Sequence, residues 1–286
     1  MRMMVLALLV SAGASAQLTA GPVELVSDQN SFSEGPLWLA EGRFIFSDVT
    51  KNGIFAEDGT AYRQPSNGAN GLTLDRQGRL IACESTKHRI TRTEADGTIT
   101  VLAEAYNGKP LNGTNDVTVG VDGTIYFTDP TGPRKEGGPG FSGVYGLAPD
   151  GSGLTLIADD LKYPNGISMS PDGKVLYVAD YLGGIIRAYD ISADGKASNP
   201  RVHVEVKSPD GFKVDAAGRI WTSASKGIQV FDVDGKHLES VDFMGTPTNC
   251  AFGGADGKTL FITARKMVYK VSLKEPGVVP AAQAAK

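Results

Sequence analysis

The chain has 286 residues, 41% of them hydrophobic and 21% charged, enough length and apolar content to bury a core, which excludes disorder as a bulk description. Lys+Arg 28 against Asp+Glu 32 leaves a net charge of −4 with no basic run or stripe, which argues against nucleic acid or an anionic membrane surface as a partner. Gly 36 and Pro 15 together stay below the roughly one quarter of a chain that marks low complexity, so glycine reads as punctuation between elements.

Residues 1–16 read as a secretory signal peptide: Arg2, an apolar run from Met3 to Ala12, then Ala14-Ser15-Ala16 before Gln17. An apolar run of about ten residues is half of what a membrane-spanning helix needs. The expectation is a secreted or periplasmic protein with no membrane partner and one domain over 17–286. Cys83 and Cys250 allow one disulfide at most, and both lie in β-like runs where cysteine acts as a small buried hydrophobe.

Downstream, one pattern occurs six times: a polar residue, a short apolar strand, and a turn ending in Gly eight positions later. The copies begin at Glu34, Asn70, Asn115, Asn165, Asp210 and Asn249 and end at Gly42, Gly78, Gly123, Gly173, Gly218 and Gly257. Successive turn glycines are 36, 45, 50, 45 and 39 residues apart, the period of a four-stranded propeller blade. Asp58-Gly59, Asp96-Gly97, Asp150-Gly151, Asp194-Gly195 and Asp234-Gly235 follow the first five units and are expected to form type I′ hairpin turns joining third and fourth strands. The sixth unit has no such pair after Met267–Leu273, so the run Val23-Glu24-Leu25-Val26 is expected to supply the missing strand and close the ring. No window of the mature chain shows a 3.6-residue apolar period. The predicted fold is therefore all-β, a six-bladed β-propeller with few helices.

Equivalent repeat positions are related by rotation about the propeller axis, so Glu34, Asn70, Asn115, Asn165, Asp210 and Asn249 form a ring at one end of the channel. Six oxygen-bearing side chains suit a hard cation, Ca²⁺ above all, with Mg²⁺, Mn²⁺ or Zn²⁺ as alternatives. Short polar residues that merely bond loop backbone are the plainer explanation of such positions. At the ends of the second strands stand Asp48, Glu84, Asp129 and, allowing one inserted residue, Asp180; they read as a layer that orients the ring or as solvated turns. Glu84 and Asp129 are candidate substrate contacts. The Gly/Pro-rich stretch 131–141 follows Asp129 and reads as a lid or as surface slack.

Other motifs carry less. Gly253-Gly-Ala-Asp-Gly-Lys-Thr259 lacks the first glycine of a phosphate loop, and a strand follows it where a helix is needed. His88, His203 and His237 are scattered and miss the ring, which leaves a Ser-His-Asp triad or a histidine metal site without support. Asn112-Gly-Thr114 matches a glycosylation sequon.

From Phe32 to Leu273 the chain resembles the gluconolactonase and regucalcin-like (senescence marker protein) family of six-bladed propellers, its bacterial secreted members in particular. The resemblance rests on Ser33-Glu-Gly-Pro36, Asn115-Asp-Val with Tyr126-Phe-Thr-Asp-Pro130, Tyr163-Pro-Asn-Gly166, Ser170-Pro-Asp-Gly173, Pro209-Asp-Gly211 and Pro247-Thr-Asn-Cys-Ala-Phe-Gly-Gly254. It implies a divalent ion held by Glu34, Asn115, Asn165 and Asp210, which leaves Asn70 and Asn249 as contacts to the substrate or supports of the ligands. The chain departs from the family where bacterial relatives often carry an arginine, here Pro110, and where they have His-Gly, here Ser85-Thr86. The function it implies is metal-dependent hydrolysis of a cyclic ester, a sugar lactone first, with Asp210 as general base. An organophosphate or other ester hydrolase on the same ring, and a non-catalytic Ca²⁺-stabilised sugar-binding propeller, are the alternatives. A small-molecule lactone is the expected partner, and the protein a monomer or weak homo-oligomer.

Overall fold

The computed structural model describes residues 17–131 and 137–280; the signal-peptide segment and part of the 131–141 stretch lie outside the described residues. Six four-stranded antiparallel sheets stand as blades around one axis. Blade 1 comprises Ser33–Trp38, Phe44–Asp48, Gly53–Ala56 and Ala61–Arg63, and blade 2 Ala69–Leu74, Leu80–Glu84, Arg89–Thr93 and Ile99–Ala103. Blade 3 comprises Val117–Val119, Ile125–Asp129, Gly143–Leu147 and Thr155–Ala158, and blade 4 Pro164–Met169, Val175–Asp180, Ile185–Ile191 and Ala197–Glu205. Blade 5 comprises Phe212–Val214, Ile220–Ser223, Ile228–Phe231 and His237–Val241. The innermost strands touch their neighbours all the way round, and Ser33–Trp38 meets Asn249–Gly253 to close the circle.

Blade 6 is built from both ends of the chain: Asn249–Gly253, Thr259–Ala264, Met267–Ser272 and, outermost, Glu24–Ser27. Glu24 lies opposite Lys270 and Leu25 opposite Tyr269, so the N-terminal run supplies the fourth strand that the repeat analysis found missing. Beyond Leu273 the chain turns across the end of the ring that carries the turn glycines. There the Gly277 N–H donates to the Gly257 carbonyl at 3.0 Å, and Val279 packs against core residues of blades 1, 2 and 6.

Second strands such as Phe44–Asp48, Leu80–Glu84 and Ile125–Asp129 are buried along their whole length, because a neighbouring blade covers each face. Outer strands keep one wet face; Ile99 and Val101 are each 40% exposed. The core is divided between blade interfaces. Trp221, Ile228 and Val230 of blade 5 meet Cys250, Phe252 and Ile262 of blade 6, and Phe44 of blade 1 stacks on Phe261 of blade 6 at 4.1 Å. Cys83 and Cys250 are free and buried, as expected of small hydrophobes. Helix is scarce: a 3₁₀ turn over Ser85–Lys87 follows the second strand of blade 2.

The Asp-Gly pairs do join third and fourth strands, but not through type I′ turns. Only the glycine of each pair has positive φ, from +75° at Gly195 to +86° at Gly151. The loops hold three residues: Ala56 N–H donates to Thr60 O at 2.8 Å and Gly59 N–H to Ala56 O at 3.0 Å, a type I turn with a glycine bulge. In blades 1 to 3 the aspartate carboxylate accepts the N–H two residues on, as Asp58 Oδ1 does from Thr60 at 2.9 Å and Asp150 Oδ1 from Ser152 at 2.9 Å, which favours the right-handed turn. A small hairpin not expected from the repeat pattern pairs Ala105–Tyr106 with Lys109–Pro110 and is turned by Asn107 and Gly108, both at positive φ. Pro110, one of the family departures, is exposed in its second strand.

Candidate active site

Each repeat starts at the end of the channel opposite its turn glycine, and there a cavity of about 320 Å³ opens. Glu34, Asn70, Asn115, Asn165 and Asp210 line it, five of the six predicted ring residues. Phe32, Tyr163, Tyr181, Leu182 and Arg265 complete the wall. Asn249 is not on it. It is buried behind Glu34, where its Nδ2 donates to Glu34 Oε2 at 3.2 Å and to Asp116 Oδ2 at 3.3 Å, and its Oδ1 accepts the Cys250 N–H at 2.9 Å.

The inner strands approach one another closely because glycine follows the ring residue in four blades, at Gly35, Gly71, Gly166 and Gly211. A Cβ on Gly35 would lie 2.0 Å from the Asn70 carbonyl oxygen, and one on Gly211 2.0 Å from the Asn249 carboxamide carbon. Blade 3 has Asp116 at this position instead. Asp116 is almost wholly buried, accepts the Val117 N–H at 2.9 Å, and stands 4.0 Å from Lys213 Nζ. Asp116 and Lys213 are members of the site that sequence analysis did not find. A signal existed: at the position after the ring residue the other five repeats read Gly, Gly, Gly, Gly and Cys, and Asp116 is the exception.

Glu84 and Asp129, expected at the substrate, do not reach the cavity wall. Glu84 is buried and accepts from Arg63, from Arg89 Nε at 2.8 Å and from Asn67 Nδ2 at 3.0 Å. Asp129 accepts the backbone N–H groups of Asn112 at 2.8 Å and Gly113 at 2.7 Å. Asp48 does the same for Ser31 at 2.7 Å and Phe32 at 3.1 Å, and Asp180 for Lys162 at 3.0 Å and Tyr163 at 2.9 Å. The three aspartates thus fix the loops that lead into Glu34, Asn115 and Asn165. Ser85, the other family departure, donates its hydroxyl to the Thr114 carbonyl, one residue before Asn115. The sequon asparagine is engaged: Asn112 Nδ2 donates to the Phe141 carbonyl at 2.9 Å and to Asp129 Oδ2 at 3.0 Å.

Burial together with the nearby Asp116 carboxylate raises Glu34 to about 7, against which the Gly35 N–H, the Asn249 amide and Lys213 pull. Burial, Glu34 and Asp116 push Asp210 well above the usual carboxylate range. Asn70 Oδ1 and Asp210 Oδ1 are buried oxygens with no hydrogen-bond partner. With all three carboxyls ionised, Glu34, Asp116 and Asp210 against the Lys213 ammonium would leave two negative charges, a state that a divalent cation would balance. No three His, Cys, Asp or Glu side chains converge as a metal cluster among the described residues. The donor set is instead two carboxylates with carboxamide oxygens, which fits a hard cation.

A raised carboxyl favours the folded state at low pH, so the contribution of Glu34 is present below about 4.5 and lost as pH rises through about 7. Cation-free protein is expected to lose on the order of 3 kcal/mol across that window. Thermal melts in chelator from pH 4 to 9 check this, because Glu34→Gln should flatten the slope; parallel slopes would sink the assignment.

Carboxylates and carboxamides thus line a polar cavity at one mouth of a six-bladed propeller. The chain belongs to the SMP-30/Gluconolactonase/LRE-like family, whose match covers residues 32–266. It is 31% identical to the gluconolactonase of Zymomonas mobilis, over 90% of this chain and 82% of that protein. It is 27% identical to regucalcin of Xenopus laevis, over 84% of this chain and 85% of that one. The solved structure of a gluconolactonase from Xanthomonas campestris superposes with a TM-score of 0.84 at 36% identity, covering 92% of this chain and 93% of the other. No helix among the described residues is long and apolar enough to cross a membrane.

Proposed function

We propose that the protein is a lactone hydrolase that opens a cyclic ester at the channel mouth with the help of a divalent cation, Ca²⁺ first. Family membership and the gluconolactonase relatives support the lactone; one observation carries the cation, the unpartnered buried Asp210 oxygen close to the Glu34 carboxyl. Glu34, Asn115, Asn165 and Asp210 would hold the ion. When bound, it supplies Lewis-acid polarisation of the ester carbonyl.

Asp210 is the general base. Its Oδ1 is free of other protein groups and takes the proton from the water whose oxygen adds to the carbonyl carbon. As the ring C–O bond breaks, the same proton passes to the leaving alkoxide, and the product is a hydroxy acid. Asn70 offers the substrate an unengaged carboxamide oxygen, while Tyr163, Tyr181 and Leu182 flank the ring and keep bulk water off. Asn249, Asp129 and Asp180 position ligands without touching substrate. Residues 1–16 are read as the export signal of a secreted or periplasmic enzyme.

The test is acid release from a panel of aldonolactones by purified protein, first in chelator and then with Ca²⁺, Mg²⁺, Mn²⁺ or Zn²⁺ restored. Chelator-sensitive turnover recovered by one ion supports the reading. Cation binding with no hydrolysis of any lactone would move the protein to the sugar-binding alternative.

A further inference from the structure

The cavity is polarised. Its floor carries Glu34 and Asp210 with Asp116 just behind, whereas its rim carries apolar side chains, Leu182 being 62% exposed, and one cation, Arg265. Among the described residues every other arginine except Arg76 faces a carboxylate; Arg265 has neither a hydrogen-bond nor an ion-pair partner for its guanidinium. Arg265 also sits in the tight turn between Thr259–Ala264 and Met267–Ser272 at φ +55°, a left-handed conformation that glycine would adopt without strain. Its carbonyl accepts the Ser33 N–H at 2.6 Å, which ties the turn to the residue before Glu34. A long cation is thus held in an unfavourable backbone state, unpaired, on the wall of the candidate active site.

We propose that Arg265 determines specificity and that the substrate is a lactone bearing a carboxylate on the side of the molecule remote from the ester. The inference rests on the lactone-hydrolase reading above. An acidic floor repels an anionic substituent, so that substituent must lie at the rim while the ester lies over the floor. The planar guanidinium fork matches a carboxylate through two parallel hydrogen bonds, and the aromatic and leucine side chains of the rim cover the ring carbons. Hydrolysis breaks only the ester bond, so the carboxylate held by Arg265 passes unchanged into a hydroxy dicarboxylic acid product.

The experiment compares kcat/KM of wild type, Arg265→Gln, Arg265→Lys and Arg265→Gly on an aldarolactone and on the aldonolactone with the same ring, with the cation present. The expected result is a preference of wild type for the acidic lactone that falls about 10- to 100-fold in Arg265→Gln, mainly through KM, and returns in part in Arg265→Lys. Arg265→Gly should show the same loss with a melting temperature at or above wild type, which separates recognition from folding. An acidic-to-neutral ratio unchanged in Arg265→Gln overturns the proposal. Should wild type open neither lactone, the hydrolase reading fails, and calorimetry with the hydroxy dicarboxylate decides the rest. Binding lost in Arg265→Gln retains acid recognition, and equal binding by both proteins removes it.

Discussion

Asp210→Asn is expected to lower lactone turnover by about 10²- to 10⁴-fold while the protein stays folded. The replacement keeps the shape of the side chain beside Asn165 and Gly211 and removes two things together, the proton acceptor and a group that can ionise against a bound cation. Burial, Glu34 and Asp116 already hold the Asp210 carboxyl well above the usual range, so an uncharged amide there should cost the metal-free fold little, and the variant should melt no lower than wild type. Cation affinity, measured by calorimetry, should weaken without vanishing, since Glu34 and the carboxamides remain. Wild-type turnover in a variant saturated with the cation would falsify the role of Asp210 as base.

The largest effect on stability is expected at Gly35. An alanine there must adopt φ +47° and place its Cβ 2.0 Å from the Asn70 carbonyl oxygen, which already accepts the Ser47 hydroxyl at 2.7 Å. Left-handed strain adds to overpacking against backbone, for a cost of about 3 kcal/mol or more. Gly42→Ala separates the two causes, because Gly42 has φ +81° with nothing within 4 Å of the new Cβ, leaving only about 1 kcal/mol of strain. In thermal melts Gly35→Ala should fall by about 10 °C and Gly42→Ala by about 3 °C. Equal shifts would mean that the close approach of blades 1 and 2 is not tight.

The architecture was legible because a propeller writes its symmetry into the chain. An offset of eight residues from polar position to turn glycine, repeated six times, fixes the number of blades and brings the polar positions to one mouth of the channel. Closure by residues 24–27 was legible from a deficit, the sixth unit being one strand short. Depth was not. Asn249 occupies the same repeat position as Asn70, yet Asn70 faces the cavity and Asn249 lies behind Glu34, because rotational equivalence fixes where a Cα sits and not which neighbour its side chain meets. Glu84 and Asp129 stand off the cavity wall for a related reason. Their strand ends stand near the ring, but backbone N–H groups and arginines claim their carboxylates before a substrate could. The pairing of Asp116 with Lys213 joins blades 3 and 5, and no local spacing announces a contact of that kind.

Blade 6 has one further consequence. The pairing of Glu24–Ser27 with Met267–Ser272 means that the last seam of the ring is stitched from opposite ends of the sequence, without a covalent link across it. Blades 1 to 5 can each zip up from neighbouring segments as the chain emerges, whereas the circle stays open until the final strands exist. Until then the inner face of the first blade and the flank of the fifth have nothing to pack on. The seam is also where the finished ring is weakest in connectivity, so peeling Glu24–Ser27 from the rim is the natural first step by which the molecule comes apart.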